Sequence, residues 1–318
     1  MPDTNVAFIE VPLSILILKN AIDTNCKDLH ILKKDVSFYL PKSKEVERVK
    51  LKYFNSSPLR TYEQRSLFWL IKNILDSYKK SFDNIFICDI GIFNKLLIIF
   101  MRSKNVFILD DGLASAMRKK ISSRLIIFLS KVFSNKKVFY MSMFGKSFSF
   151  QKGIFNVNFV NTAEKTLYKD KCFYICSGPT LDGMKINEEN HLIKNIISFS
   201  HENGQELIIL PHRRDFKKYK KDYFFRNYIF KNYETFEEFY TENKFYNCSF
   251  ITLYSSAIFS VHDEIKKYIL KDFFIPKIPS DNFFLRLLGK KININTVYKF
   301  MEDNLQNVVV LEPKDICK

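Results

Sequence analysis

Two short apolar runs, Asn84-Ile-Phe-Ile-Cys-Asp89 and Asn105-Val-Phe-Ile-Leu-Asp110, constrain the fold of this chain more than any other feature. Each is too short for a globular helix and rich in strand-forming residues. Between them lies a helix-length segment, Phe93 to Arg102. Strand, helix and strand in this order make a βαβ unit, which requires a parallel sheet. The second run continues as Asp110-Asp111-Gly112-Leu-Ala-Ser115, so a buried strand ends in an acidic turn. In open α/β sheets ligand-handling groups gather beyond the carboxyl ends of the strands, which puts Asp110 and Asp111 where a catalytic base is expected. The competing reading is that Asp111 or Ser115 caps the next helix, with Gly112 serving the turn.

The rest of the first half continues the alternation. Val6 to Ile9 is predicted as the first strand, Leu13 to Ala21 as a helix and Leu29 to Leu32 as the second strand. Arg60 to Ser81 reads as one long helix with Leu67, Leu70, Ile71, Ile74 and Leu75 on its buried face and Lys72, Asp76 and Lys79 outside. Between Asn156 and Lys171 the pattern loosens, and a domain boundary is placed there: residues 1–160 form one domain and 161–318 the second. A chain of 318 residues with 47% hydrophobic content has enough apolar material for two cores.

The second half begins the alternation again. Cys172-Phe-Tyr-Ile-Cys176, Glu206-Leu-Ile-Ile-Leu210 and Ser249-Phe-Ile-Thr-Leu253 are strands, with helices at Glu188 to Glu202 and Thr235 to Glu242. Their carboxyl-end loops are Ser177-Gly178-Pro-Thr-Leu-Asp182-Gly183, Pro211-His212-Arg213 and Tyr254-Ser255-Ser256. Loops at equivalent strand ends converge on one crevice. His212 beside Arg213 can serve a phosphate oxygen, and the hydroxyls of Ser255 and Ser256 suit the same anion. The competing reading makes His212 structural and the serines a helix cap. Neither G-x-x-x-x-G-K-[ST] nor G-x-G-x-x-G occurs.

Charge and cysteine narrow the setting. The net charge of +16 attracts polyanions, whether nucleic acid, anionic lipid or charged substrates. Six scattered cysteines, most in apolar runs, read as buried reduced thiols of a cytoplasmic protein. No apolar run reaches the ~18 residues of a membrane span, and the start lacks the basic segment of a signal peptide. Arg118, Lys119, Lys120 and Arg124 precede an apolar run, and Lys131, Lys136 and Lys137 follow it. That pattern fits a helix lying on an anionic inner membrane face, and equally a core helix with a solvated basic side.

Taken together, Asp110-Asp111-Gly112, then Pro211-His212, then Ser255-Ser256 resemble the ordered motifs of the bacterial GT-B sialyltransferases, most closely glycosyltransferase family 52. Those families carry an acidic D/E-D/E-G motif, an HP motif and a Ser-Ser/Thr motif, and their second domain opens with a G-x-P-L-type loop similar to Ser177-Gly178-Pro-Thr-Leu. The resemblance spans about residues 105 to 260, half of the chain. Here proline precedes the histidine instead of following it. The resemblance implies an α/β fold of GT-B type, two Rossmann-like domains facing a central cleft, acceptor-side first and CMP-sugar-binding second. It implies inverting transfer of sialic acid from CMP-sialic acid to a terminal sugar hydroxyl, of galactose type, on a lipooligosaccharide or capsule glycan. Asp110 is the preferred general base, with Asp182 left open as the alternative. His212 would assist the departing phosphate. Asp111, Gly112, Ser177, Gly178, Pro211, Arg213, Ser255 and Ser256 would line the substrate. No cofactor and no metal is expected, since no Asp-x-Asp occurs at the acidic turn. The acceptor would be lipid-linked if the enzyme works at the membrane. Two other readings stand beside this one: a GT-B transferase with another nucleotide-sugar donor, and a basic nucleic-acid-binding protein. The second has the basic-aromatic run from Arg213 to Lys221 in its favour and no binding module to support it, so nucleic acid is not an expected partner.

Overall fold

The computed structural model describes residues 5–23, 31–63, 66–88, 91–109, 128–130, 132–133, 135–142, 154–156, 166–177, 183–212, 228, 235–274 and 294–316. The chain divides into two compact units, Met1–Val160 and Asn161–Lys318. Both are α/β, and each is built on a parallel sheet of Rossmann type, the domain composition of a GT-B fold.

In the first unit the strands are β1 (Asn5–Phe8), β2 (Val36–Pro41), β3 (Leu59–Tyr62), β4 (Phe82–Cys88), β5 (Ser103–Leu109), β6 (Lys137–Ser142) and β7 (Ile154–Asn156). They lie in the order β3-β2-β1-β4-β5-β6-β7, every pair parallel. Strands covered on both faces need apolar residues at odd and even positions alike. Ala7, Phe38, Phe86 and Phe107 accordingly join the core under α1 (Pro12–Asp23) and α2 (Lys44–Tyr53). Their neighbours Val6, Phe8, Ile85, Ile87, Val106 and Ile108 meet Leu70 of α3 (Leu67–Lys80) and Leu97 and Ile98 of α4 (Gly91–Phe100). An asparagine ladder pins the register: Asn84 Nδ2 donates to Asn5 Oδ1 at 2.7 Å and Asn105 Nδ2 to Asn84 Oδ1 at 2.9 Å. Lys136 is buried, and its Nζ donates to the carbonyls of Ile99 and Met101 at 3.1 and 2.6 Å, closing the end of α4. Burial pushes its pKa down to about 7.

Three expectations change here. The second strand is Val36–Pro41, whereas Ile31 and Leu32 are irregular. The segment from Arg60 to Tyr62 belongs to β3, so the helix begins only at Leu67, where Ser66 accepts the Trp69 amide at 3.1 Å as its cap. The buried face of that helix is Leu70, Asn73 and Ser77, while Leu67, Ile71 and Leu75 are exposed.

The second unit holds β8 (Thr166–Lys169), β9 (Lys171–Ile175), β10 (Glu206–Leu210), β11 (Asn243–Tyr246), β12 (Ser249–Thr252), β13 (Lys266–Leu270) and β14 (Val308–Leu311). Its main sheet runs β10-β9-β12-β13-β14, all parallel, and β11 pairs with β8 in a small second sheet. Helix α5 (Ile186–Glu202) crosses from β9 to β10 and buries Leu192, Ile193 and Ile196. The other side of the sheet carries an aromatic cluster in which Phe173 stacks on Phe250 at 4.9 Å and meets Tyr168 and Phe245 edge-on at 5.3 and 5.4 Å. Such pairs add to the burial of the rings themselves. Cys88, Cys172, Cys176 and Cys248 are buried thiols, and burial raises the Cys172 thiol to about 12, so it is inert in the core. Among the described residues no helix is long and apolar enough to cross a membrane.

Candidate functional site

Where strand order reverses in an open parallel sheet, the flanking loops diverge and leave a crevice. In the main sheet of the second unit β9 comes first in the chain, β10 lies on one side of it and β12 on the other, so the reversal falls between β9 and β12. The three loops read from the sequence leave these three adjacent strands at their carboxyl ends.

Hydrogen-bond accounting shows how the crevice is held. The Thr252 hydroxyl has one proton, which goes to the Ile175 carbonyl at 2.9 Å. Its oxygen then accepts, taking the Ser255 amide at 3.1 Å and the Ser177 hydroxyl at 3.3 Å. The Ser177 oxygen in turn accepts the Tyr254 amide at 3.1 Å. Ser177 and Thr252 thus spend their hydrogen bonds tying the end of β9 to the loop after β12. They position the loop. Thr252 was not among the sequence-derived candidates; its position at the last place of a buried strand, just before a Tyr-Ser-Ser loop, was the available signal.

Ser255 caps the short 3₁₀ turn Ser256–Ser260, its Oγ accepting the Ala257 amide at 3.3 Å. The capping reading is therefore true of Ser255, and its hydroxyl proton still has no acceptor among the described residues. Ser255 and Ser256 are both half-buried. On the other side of β9, Pro211 is buried directly after β10 and His212 follows it half-buried. Hydroxyls and an imidazole are both groups that receive phosphate oxygens, and here they follow β12 and β10, the two strands on either side of β9. Gly178, Asp182 and Arg213 lie outside the described residues, as do Asp110, Asp111, Gly112 and the basic run from Arg118 to Arg124.

The first unit has its own reversal, between β1 and β4. Here stands Glu10, a half-buried carboxylate that the sequence reading passed over. The fully buried Asn94 donates through Nδ2 to the Cys88 carbonyl at 2.7 Å and to Glu10 Oε1 at 3.4 Å, while the Cys88 thiol donates to the Ser14 hydroxyl at 3.1 Å. The signal was positional: an acid just past the first strand. Asp110 follows β5, one strand further from the reversal. Among the described residues no three His, Cys, Asp or Glu side chains group as metal ligands would.

No protein-family model matches the chain, and no curated protein matches it. Solved structures do. The chain is similar to a sialyltransferase from Photobacterium damsela at 10% identity, covering 96% of this chain and 81% of that one, with a TM-score of 0.47. It is similar to a glycosyl transferase family 9 protein from Veillonella parvula DSM 2008 at 9% identity, covering 98% and 88%, with a TM-score of 0.40. A UDP-GlcNAc 2-epimerase from Methanocaldococcus jannaschii is also similar, at 12% identity over 95% and 92%, with a TM-score of 0.46. These are likenesses of fold alone.

Proposed function

We propose that this protein is an inverting glycosyltransferase that moves sialic acid from CMP-sialic acid to a terminal sugar hydroxyl, of galactose type, on a bacterial surface glycan. One observation carries the reading: Ser177, His212, Ser255 and Ser256 stand on three neighbouring strand ends around the reversal in the second sheet, in the motif order of the sialyltransferases. In that role the Ser255 and Ser256 hydroxyls and His212 hold the CMP phosphate and stabilise the charge that grows on it as the glycosidic bond breaks. Ser177 and Thr252 keep the loop in place. An Asp, with Asp110 preferred to Asp182, takes the proton of the acceptor hydroxyl as the new bond forms. The transition state is oxocarbenium-like, as in other glycosyl chemistry. No metal is assigned a part, because protein donors supply the phosphate contacts. Donor hydrolysis tests the reading: the full chain should release CMP from CMP-sialic acid and leave UDP-, GDP- and TDP-sugars intact. Preference for any of the latter would make it a transferase of another donor class.

A further inference from the structure

Helix α3 packs Leu70, Trp69 and Ile74 against the core and yet leaves a second apolar stripe outside. Its exposed side carries Leu67, Phe68, Ile71, Leu75 and Tyr78, exposed by 65, 76, 46, 56 and 51%, whereas Asn73 and Ser77 are buried. Hydrogen bonds hold this orientation. Asn73 Nδ2 donates to the Trp69 carbonyl at 2.8 Å, and the Ser77 hydroxyl donates to the Ile74 carbonyl at 2.5 Å while accepting the Arg102 amide at 2.9 Å. The Trp69 ring lies 5.9 Å from Phe8 and 5.1 Å from Tyr62, which fixes the helix to the sheet at its other end. Scattered exposed apolar side chains are ordinary, but five on one helix face are an interaction surface. The same side of the sheet exposes Phe128, Val132 and Phe133, and Phe133 lies 5.1 Å from Phe100 of α4, on which α3 also packs.

We infer that this face docks on an anionic lipid surface. The charges decide between occupants. Lys72, Lys79 and Lys80 are exposed along α3, and its one acid, Asp76, is half-buried. The nearby Lys104 is balanced by Asp83 at 2.6 Å. An apolar stripe edged with lysines matches an anionic interface, into which the apolar side sinks while the cations meet headgroups. A second copy of this chain would set lysines against lysines. Acidic headgroups attract them, and the net charge of +16 acts in the same direction.

Sedimentation with vesicles tests this surface independently of the donor reading. The full chain should bind phosphatidylglycerol-containing vesicles, bind pure phosphatidylcholine weakly, and lose binding as salt is raised. The triple variant Phe68→Ser, Ile71→Asn, Leu75→Gln should partition at least ~100-fold less, with its melting curve unchanged because all three side chains are exposed. Reversal of charge by Lys72→Glu, Lys79→Glu and Lys80→Glu should lower partitioning by about 100-fold without touching the apolar face. Equal binding to both vesicle types, or normal binding by either triple variant, would overturn the inference. So would a dimer in light scattering that the apolar variant dissociates, since the face would then belong to a second copy.

Discussion

The hydroxyls of Ser177 and Thr252 lie 3.3 Å apart, joining the end of β9 to the end of β12 at the reversal of strand order in the second sheet. This contact, with the Tyr254 amide on Ser177 and the Ser255 amide on Thr252, holds the Tyr254-Ser255-Ser256 loop to the strand ends.

Thr252→Val keeps the shape and removes the hydroxyl at the centre of three hydrogen bonds. It should lower stability by about 1–3 kcal/mol, because the Ser255 amide and the Ile175 carbonyl lose a buried partner. CMP affinity should fall with it, as the loop loosens. Denaturant unfolding and calorimetry measure the two effects, and a variant with wild-type values in both would show that the loop is held by other means.

The acidic assignment rests on positions at strand ends. Asp110→Asn should reduce turnover by about 100-fold or more while CMP binding stays near normal, as for loss of a general base. Activity retained in that variant and lost in Asp182→Asn would move the role to the second unit's loop. Loss only in Glu10→Gln would move it to the carboxylate that Asn94 holds at the first unit's reversal.

His212→Ala and the double variant Ser255→Ala, Ser256→Ala should each weaken CMP binding as well as catalysis. An anion pocket that loses donors loses them in the ground state and the transition state alike. Unchanged CMP affinity in both, read by calorimetry, would remove the pocket from the account.

The loops were legible in the sequence because their strands were. Ile85 to Cys88, Val106 to Leu109 and Cys172 to Cys176 are buried on both faces, and such strands read as continuous apolar runs. Edge strands lack this signature. β3, Leu-Arg-Thr-Tyr, is half exposed, and its residues continue the helical periodicity of the segment that follows. Val36–Pro41 was missed because serine, tyrosine and a terminal proline interrupt it. On α3 the predicted core-facing stripe divides: Leu70 and Ile74 meet the core, whereas Leu67, Ile71 and Leu75 are exposed and the hydrogen-bonded Asn73 and Ser77 are buried in their place. Thr252 was invisible for another reason. A threonine in a strand is ordinary, and only the geometry reveals three partners.

Lys136 makes stability depend on pH in a defined direction. Its folded pKa of about 7 lies below the ordinary lysine value of 10.5, so the unfolded state binds the extra proton between these values. Stability should therefore rise as pH increases from about 7 towards 10.5, with a slope of at most about 1.4 kcal/mol per unit from this group. Lys267, lowered to about 8 by burial, adds to the upper part of that window. Lys136→Met should abolish the lower part of the rise in urea unfolding at stepped pH. A rise of equal size in the variant would assign it to other groups.

Transfer itself is the most direct measurement. The full chain, incubated with CMP-sialic acid and a terminal galactoside in excess EDTA, should yield a sialylated product whose anomeric configuration is inverted relative to the donor, as read by NMR. Absence of transfer, retained configuration, or activity that returns only on adding Mg²⁺ or Mn²⁺ would contradict the proposed reaction.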